Sequence, residues 1–141
     1  MSSPCGCSGL RRASRALTRL YDEALAPAGL TTTQFAILRM LARLGPSSVT
    51  ALARATGHER SAMTRSLRPL ADIGYVTIGD GPDQRTRAAS ISDAGRKAIL
   101  RAEPGWREMQ ARVEAGLGPT EHAHLHALLG RIEKLADFED I

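Results

Sequence analysis

His58-Glu59-Arg60-Ser61-Ala62-Met63-Thr64-Arg65-Ser66-Leu67-Arg68-Pro69-Leu70 is the stretch whose reading decides the fold. At helical spacing Met63, Leu67 and Leu70 make one apolar stripe. The opposite side carries Arg60, Ser61, Thr64, Arg65 and Arg68, and no carboxylate interrupts it after Glu59. Guanidinium forks and short hydroxyls match phosphate oxygens and base edges, so the segment reads as a helix that recognises DNA. A plain solvated amphipathic helix fits the same pattern. The flanking sequence separates the two.

Upstream, Ser48 can cap a short helix with Val49, Leu52 and Ala53 inward, closed by Gly57. A short helix, a glycine turn and an arginine-bearing helix make a helix-turn-helix. Before it, Thr31-Thr32-Thr33-Gln34 has the form of a capping box. The helix it opens turns Phe35, Leu38, Leu41 and Leu44 inward and stops at Gly45-Pro46. Earlier still, Leu10, Leu17, Leu20, Tyr21, Ala24 and Leu25 mark a helix ended by Pro27 and Gly29. Residues 1–9 are small and polar and read as a loose arm.

Downstream, Pro69 predicts a bend rather than an end, with Leu70 and Ile73 carrying the stripe to Gly74. Tyr75 to Ile78 reads as a strand, residues 79–83 as a turn, and Arg85 to Ile91 as a returning strand. The result is a wing tipped with Arg85 and Arg87. Ser92 then caps a long helix lined by Ile99, Ala102, Trp106, Met109, Val113 and Leu117, with a kink expected at Pro104-Gly105. Gly118 breaks it, and Pro119 opens a last helix presenting Leu125, Leu128, Leu129, Ile132 and Leu135. The fold class is mainly α (α+β), a winged helix-turn-helix over residues 31–97. Residues 10–30 and 98–141 form a helical region with more apolar surface than one small core can bury. That surplus predicts a homodimer.

Charge follows this layout. Of the 19 basic residues, 17 are arginine, and the formal net charge is +4. Residues 46–97 carry eight basic and five acidic side chains, whereas residues 98–141 carry five and eight. A basic centre beside an acidic end points to a polyanion met by the middle of the chain. Aromatics are only 4%, which suits helices built on Leu and Ala rather than an all-β core. No long apolar run and no charged-then-apolar leader pattern occurs, so the expected setting is cytoplasmic, away from the membrane.

Enzyme chemistry finds no foothold. The sequence has no phosphate-cradling glycine loop, no GxSxG elbow and no His-Glu-x-x-His, and Asp80/Asp83 lack the further carboxylates of a calcium loop. His122 and His126, at i and i+4, have metal-compatible spacing without a third ligand placed by sequence. They read first as surface or interface histidines. Cys5 and Cys7, one residue apart, do not make a disulfide framework. Arg11, Arg12, Arg15 and the start of the first helix favour their thiolates, the form that oxidises or binds metal. A rival function follows: a small thiol-redox or metal-binding protein built on Cys5 and Cys7.

The order of elements resembles the MarR (multiple antibiotic resistance regulator) family over roughly residues 10–138. The residues carrying the resemblance are Thr33-Gln34-Phe35 with Leu38 and Leu41, Leu52-Ala53 before Gly57, and Thr64 to Leu70. They continue through Gly74-Tyr75-Val76, Asp80-x-x-Asp83-x-Arg85 and Ile91-Ser92-x-x-Gly95-Arg96. The resemblance implies a homodimeric repressor on a pseudo-palindromic duplex, with Asp83 holding Arg85 for the minor groove. It also implies a small aromatic acid as effector, in a cleft drawing on Tyr21, Arg39 and Trp106, with Arg15 or Arg39 as carboxylate partner. Some family members sense peroxide through a cysteine at the N-terminal end of this same first helix, a likeness to Cys5 and Cys7 of location rather than of motif. Three positions depart from the family pattern: His58 fills a usually apolar slot, Glu59 a usual Asp or Ser cap, and Gln84 a common Arg.

Overall fold

The structure, a computed structural model, describes residues 3–79 and 87–137. Its elements are α1 (Gly6–Leu25), a single 3-10 turn (Ala26–Ala28), α2 (Thr32–Leu44), β1 (Ser47–Ser48), α3 (Val49–Thr56), α4 (Arg60–Asp72), β2 (Val76–Ile78), β3 (Ala88–Ile91), α5 (Asp93–Leu117) and α6 (Pro119–Asp137). The chain divides into two compact units, Met1–Trp106 and Arg107–Ile141, with the division inside α5. Leu25 and the first half of α5 (Ala98, Ile99 and Ala102) are buried in the core that α2, α3 and α4 share.

That core belongs to the first unit. Phe35, Ile37, Leu38 and Leu41 of α2 meet Leu52 of α3 and Met63, Leu67 and Leu70 of α4, with Val76 and Ala89 closing from the sheet. The expected caps form. Thr31 accepts from the Gln34 amide while the Gln34 side chain accepts from the Thr31 amide, a complete capping box. Ser48 caps α3 through the Ala51 amide. The sheet has three strands in the order β1-β3-β2, all antiparallel, pairing Ser47 with Ala89 and Val76 with Ile91. Sequence reading finds only the two longer strands.

Four expectations are corrected. Residues 6–9, expected in a loose arm, are helical: once α1 is nucleated, a backward turn adds bonds such as Gly9 N–H to Cys5 O at little cost. Leu44, expected inward, is 49% exposed because α2 ends beside it at Gly45. Ile73, expected in the α4 stripe, is 54% exposed, since the chain leaves the helix after Asp72 and the 3.6-residue period with it. The strands are also shorter than expected, β2 starting at Val76 and β3 at Ala88. Pro69 lies within α4 and Pro104 within α5, and neither ends its helix.

Ser92 ties the wing to two helices. Its hydroxyl donates to Gly74 O at the end of α4 and accepts from Gly95 N–H in the first turn of α5. Its own N–H donates to Tyr75 O. Asp22 makes a similar link between α1 and α2, with Oδ1 accepting from both the amide (2.7 Å) and hydroxyl (2.6 Å) of Thr32.

Candidate nucleic-acid interface

The turn before α4 is built by hydrogen bonds that the sequence does not advertise. Gly57 adopts φ 74°, a left-handed conformation that a side chain would strain, and ends α3. His58 N–H then donates to Ala53 O at 2.9 Å. The Thr56 hydroxyl donates to Leu52 O at 2.8 Å, which uses its one hydrogen. The 2.9 Å contact between His58 Nδ1 and Thr56 Oγ1 therefore has His58 as donor. His58, unusual beside the family pattern, is a clasp for the turn. Glu59 stands at the N-cap of α4 without a side-chain capping bond, as its chemistry predicts. The first-turn amides are left without that cap, at a helix end that favours anions.

From that turn, α4 buries Met63, Leu67 and Leu70 and exposes Arg60, Ser61, Thr64, Arg65 and Arg68. Because the stripe fixes the helix about its axis, all five polar side chains are turned away from the core. The Thr64 hydroxyl donates to Arg60 O at 3.0 Å, so its lone pairs remain to accept from a base amine. Arg87, exposed at the foot of β3, lines a groove of about 230 Å³ with Thr64, Arg68, Asp72 and Ile78. The structure thus brings wing and helix arginines to one place. Asp83, Gln84 and Arg85 lie outside the described residues.

The expected effector residues separate. The Arg39 guanidinium lies 4.4 Å from the Trp106 ring centroid and 5.4 Å from that of Phe35, and the two rings are 6.2 Å apart. This cation–π stack borders a groove of about 510 Å³ lined by Ala36, Arg39, Met40, Arg43, Ile99 and Glu103. Sequence reading misses Arg43, although its i, i+4 spacing from Arg39 places both on one face of α2. Arg15 is elsewhere, in a shallow depression with Leu10, Arg11 and Ser14. Tyr21 is half-buried on α1, and burial raises its hydroxyl above the usual range. It does not line the Arg39 groove.

Cys5 and Cys7 are both exposed free thiols, Cys5 at the N-cap of α1 and Cys7 in its first turn. The Ser8 amide, then the Ser8 hydroxyl and the Cys7 amide, stabilise the Cys5 thiolate and hold that thiol below its ordinary pKa. The cause is thus local hydrogen bonding, where the sequence points to the arginines. On α6, His122 and His126 approach each other at 3.3 Å between Nε2 atoms. Among the described residues no group of three His, Cys, Asp or Glu side chains is placed to hold a metal.

Three helices crossed so that the third exposes arginines, followed by a small antiparallel sheet, define a winged helix-turn-helix protein. The profile of the MarR family matches residues 28–86. The HTH-type transcriptional repressor Rv2887 of Mycobacterium tuberculosis is 32% identical over 127 residues, covering 87% of this chain and 89% of that protein. The crystal structure of the M. tuberculosis transcriptional regulator MosR superposes with a TM-score of 0.84 at 31% identity, over 96% of this chain and 97% of that one. MosR in complex with DNA gives 0.81 at 36% identity, over 94% and 98%. The chain belongs to the MarR family of transcriptional regulators. No helix among the described residues is long and apolar enough to cross a membrane.

Proposed function

We propose that this protein is a repressor that binds a pseudo-palindromic duplex as a homodimer and leaves it in response to a small-molecule or redox signal. The observation that carries this reading is the exposed face of α4, five polar side chains held outward by a fully buried stripe. Arg60, Ser61, Thr64 and Arg65 reach base edges, while Arg68, Arg87 and Arg85 serve phosphates and the minor groove, with Asp83 orienting Arg85. Exposed apolar side chains support pairing with a second copy: Leu10, Leu17 and Leu20 on α1, and, in the other unit, Leu128, Ile132 and Leu135 on α6. Two-fold pairing on DNA sets the recognition helices about one duplex turn apart, ~34–36 Å.

Arg65→Ala should weaken binding to the operator by about 1–3 kcal/mol while leaving non-specific binding nearly unchanged. Arg87→Ala should weaken all sequences alike and reduce the salt slope by about one unit. Gel shifts on the DNA upstream of the protein's own reading frame, repeated across a salt series, measure both. Unchanged operator affinity for Arg65→Ala would remove the reading face from α4.

The Arg39 groove supports an aromatic acid as effector, because a guanidinium over an indole ring offers N–H donors to a carboxylate beside apolar walls. Such a ligand releases DNA only if it prefers a spacing of recognition helices that DNA does not. Titration with salicylate-like acids should change the fluorescence of Trp106, the single tryptophan, in step with operator release. Arg39→Ala should abolish both responses; a full response in that variant would place the acid elsewhere.

The lowered Cys5 thiol supports a second input. Peroxide would take the Cys5 thiolate to sulfenic acid with loss of hydroxide, and the Cys7 thiol could then close a disulfide with loss of water. The ring is small and strained, so thiol reductant should reopen it readily. Mild peroxide should release operator DNA from the wild type and not from Cys5→Ser/Cys7→Ser. Equal behaviour of the two proteins would leave the thiols without a role.

A further inference from the structure

We propose that His122 and His126 form a bidentate site for a borderline divalent cation, with Zn2+ the best-matched occupant. The two residues stand one turn apart on α6, and their Nε2 atoms are 3.3 Å apart. Two nitrogens at that separation, each ~2.05 Å from a shared ion, subtend about 107°, close to the tetrahedral angle zinc adopts. The ring centroids are 4.6 Å apart and the planes cross at 70°, so the imidazoles meet edge to face rather than stacking. The helix fixes this approach. His122 N–H donates to Gly118 O at 2.8 Å, which locks the backbone of the first ligand into the opening turn of α6.

Either Nε2 can donate to the other across this contact, according to which ring carries its proton there. When the donor ring shifts that proton to Nδ1 and each ring rotates by a few tens of degrees, both Nε2 lone pairs leave the line between them and meet on one ion. No oxidant or reductant is needed. Neutral imidazole prefers the Ni2+, Cu2+ and Zn2+ group over Mg2+ and Ca2+, which seek oxygen. Since no third protein ligand is grouped with the pair among the described residues, water completes the remaining positions. His124 projects from the other side of the helix and is exposed, so it takes no part.

Isothermal titration of the full-length protein with zinc chloride tests the site. One ion per chain is expected. Either His122→Ala or His126→Ala should lose about 100-fold or more in affinity, because each leaves a single tethered ligand where two had acted together. His124→Ala and Cys5→Ser/Cys7→Ser should bind as the wild type does. In the unmodified protein, zinc should shift the ring proton resonances of His122 and His126 and leave those of His124 in place. No zinc binding by the wild type, binding that survives both single substitutions, or binding abolished by the cysteine substitutions overturns the proposal.

Discussion

Leu67→Ala should lower the free energy of unfolding by about 2–5 kcal/mol, the range for deleting a buried leucine side chain where the walls cannot collapse. Leu67 is 1% exposed, with Met63 and Leu70 fully buried beside it on the same stripe. The helix that carries it has little support of its own. Its N-cap makes no side-chain bond, and Pro69 inside it removes one backbone donor. Packing is therefore what holds α4, and a cavity beneath it should loosen the interface as well as the fold. Denaturant unfolding followed by circular dichroism measures the first effect, and operator affinity at a temperature where the variant remains folded measures the second. An unchanged midpoint would show that α4 does not depend on the stripe.

The same glycine-to-alanine change should have opposite signs at two positions. A Cβ on Gly95 would collide with the carbonyl oxygen of Tyr75 and approach Ile91 Cγ1 to 2.8 Å. Backbone cannot rotate away as a side chain can, so the first turn of α5 and the start of β2 must separate. The expected cost is about 3 kcal/mol, the upper part of the usual overpacking range. The Ser92 links to Gly74 and Gly95 would be strained by that movement. At Gly130, within α6, an added Cβ would meet nothing within 4 Å, and alanine there should stabilise by roughly 0.5–1 kcal/mol through helix propensity alone. Melting temperatures of the two variants decide it. Stabilisation of equal size at both positions would mean that propensity and not the close approach governs Gly95.

The parts of this fold legible in the sequence are those written in local chemistry. Thr31 and Gln34 form their capping box, Ser48 and Ser92 bond to the first turns of their helices, and Met63, Leu67 and Leu70 bury together. Each depends on residues a few positions apart. What stays hidden depends on contacts between distant segments or on where an element stops. β1 is two serines, too short and too polar for any period, and exists because Ala88 and Ala89 pair with it. The position of Arg39 over Trp106 joins residues of α2 and α5, and nothing in either stretch announces the other. The division of the expected effector set, with Arg15 apart from Arg39, follows equally from packing. His58 stands out of place in the sequence, but its bond to Thr56 needs the geometry of the turn.

The first helix is fastened at one end. Near its C-terminus Leu25 is buried, Asp22 grips Thr32, and Ala24 abuts Gly105 closely enough to leave no room for a side chain there. From Ser3 to Leu17 the residues are exposed apart from the half-buried Gly9. Cys5 and Asp22 are 17 residues apart along it, so the tip lies about 25 Å from the grip at 1.5 Å per residue. Within a single protomer such a helix has the geometry of a lever with its fulcrum at the DNA-binding core, and pairing through Leu10, Leu17 and Leu20 would put its long arm in the partner's hands. A tilt of about 5° at Asp22 carries Cys5 through roughly 2 Å. A small force at the tip is correspondingly multiplied at the fulcrum, where Thr32 opens the helix that carries Arg39.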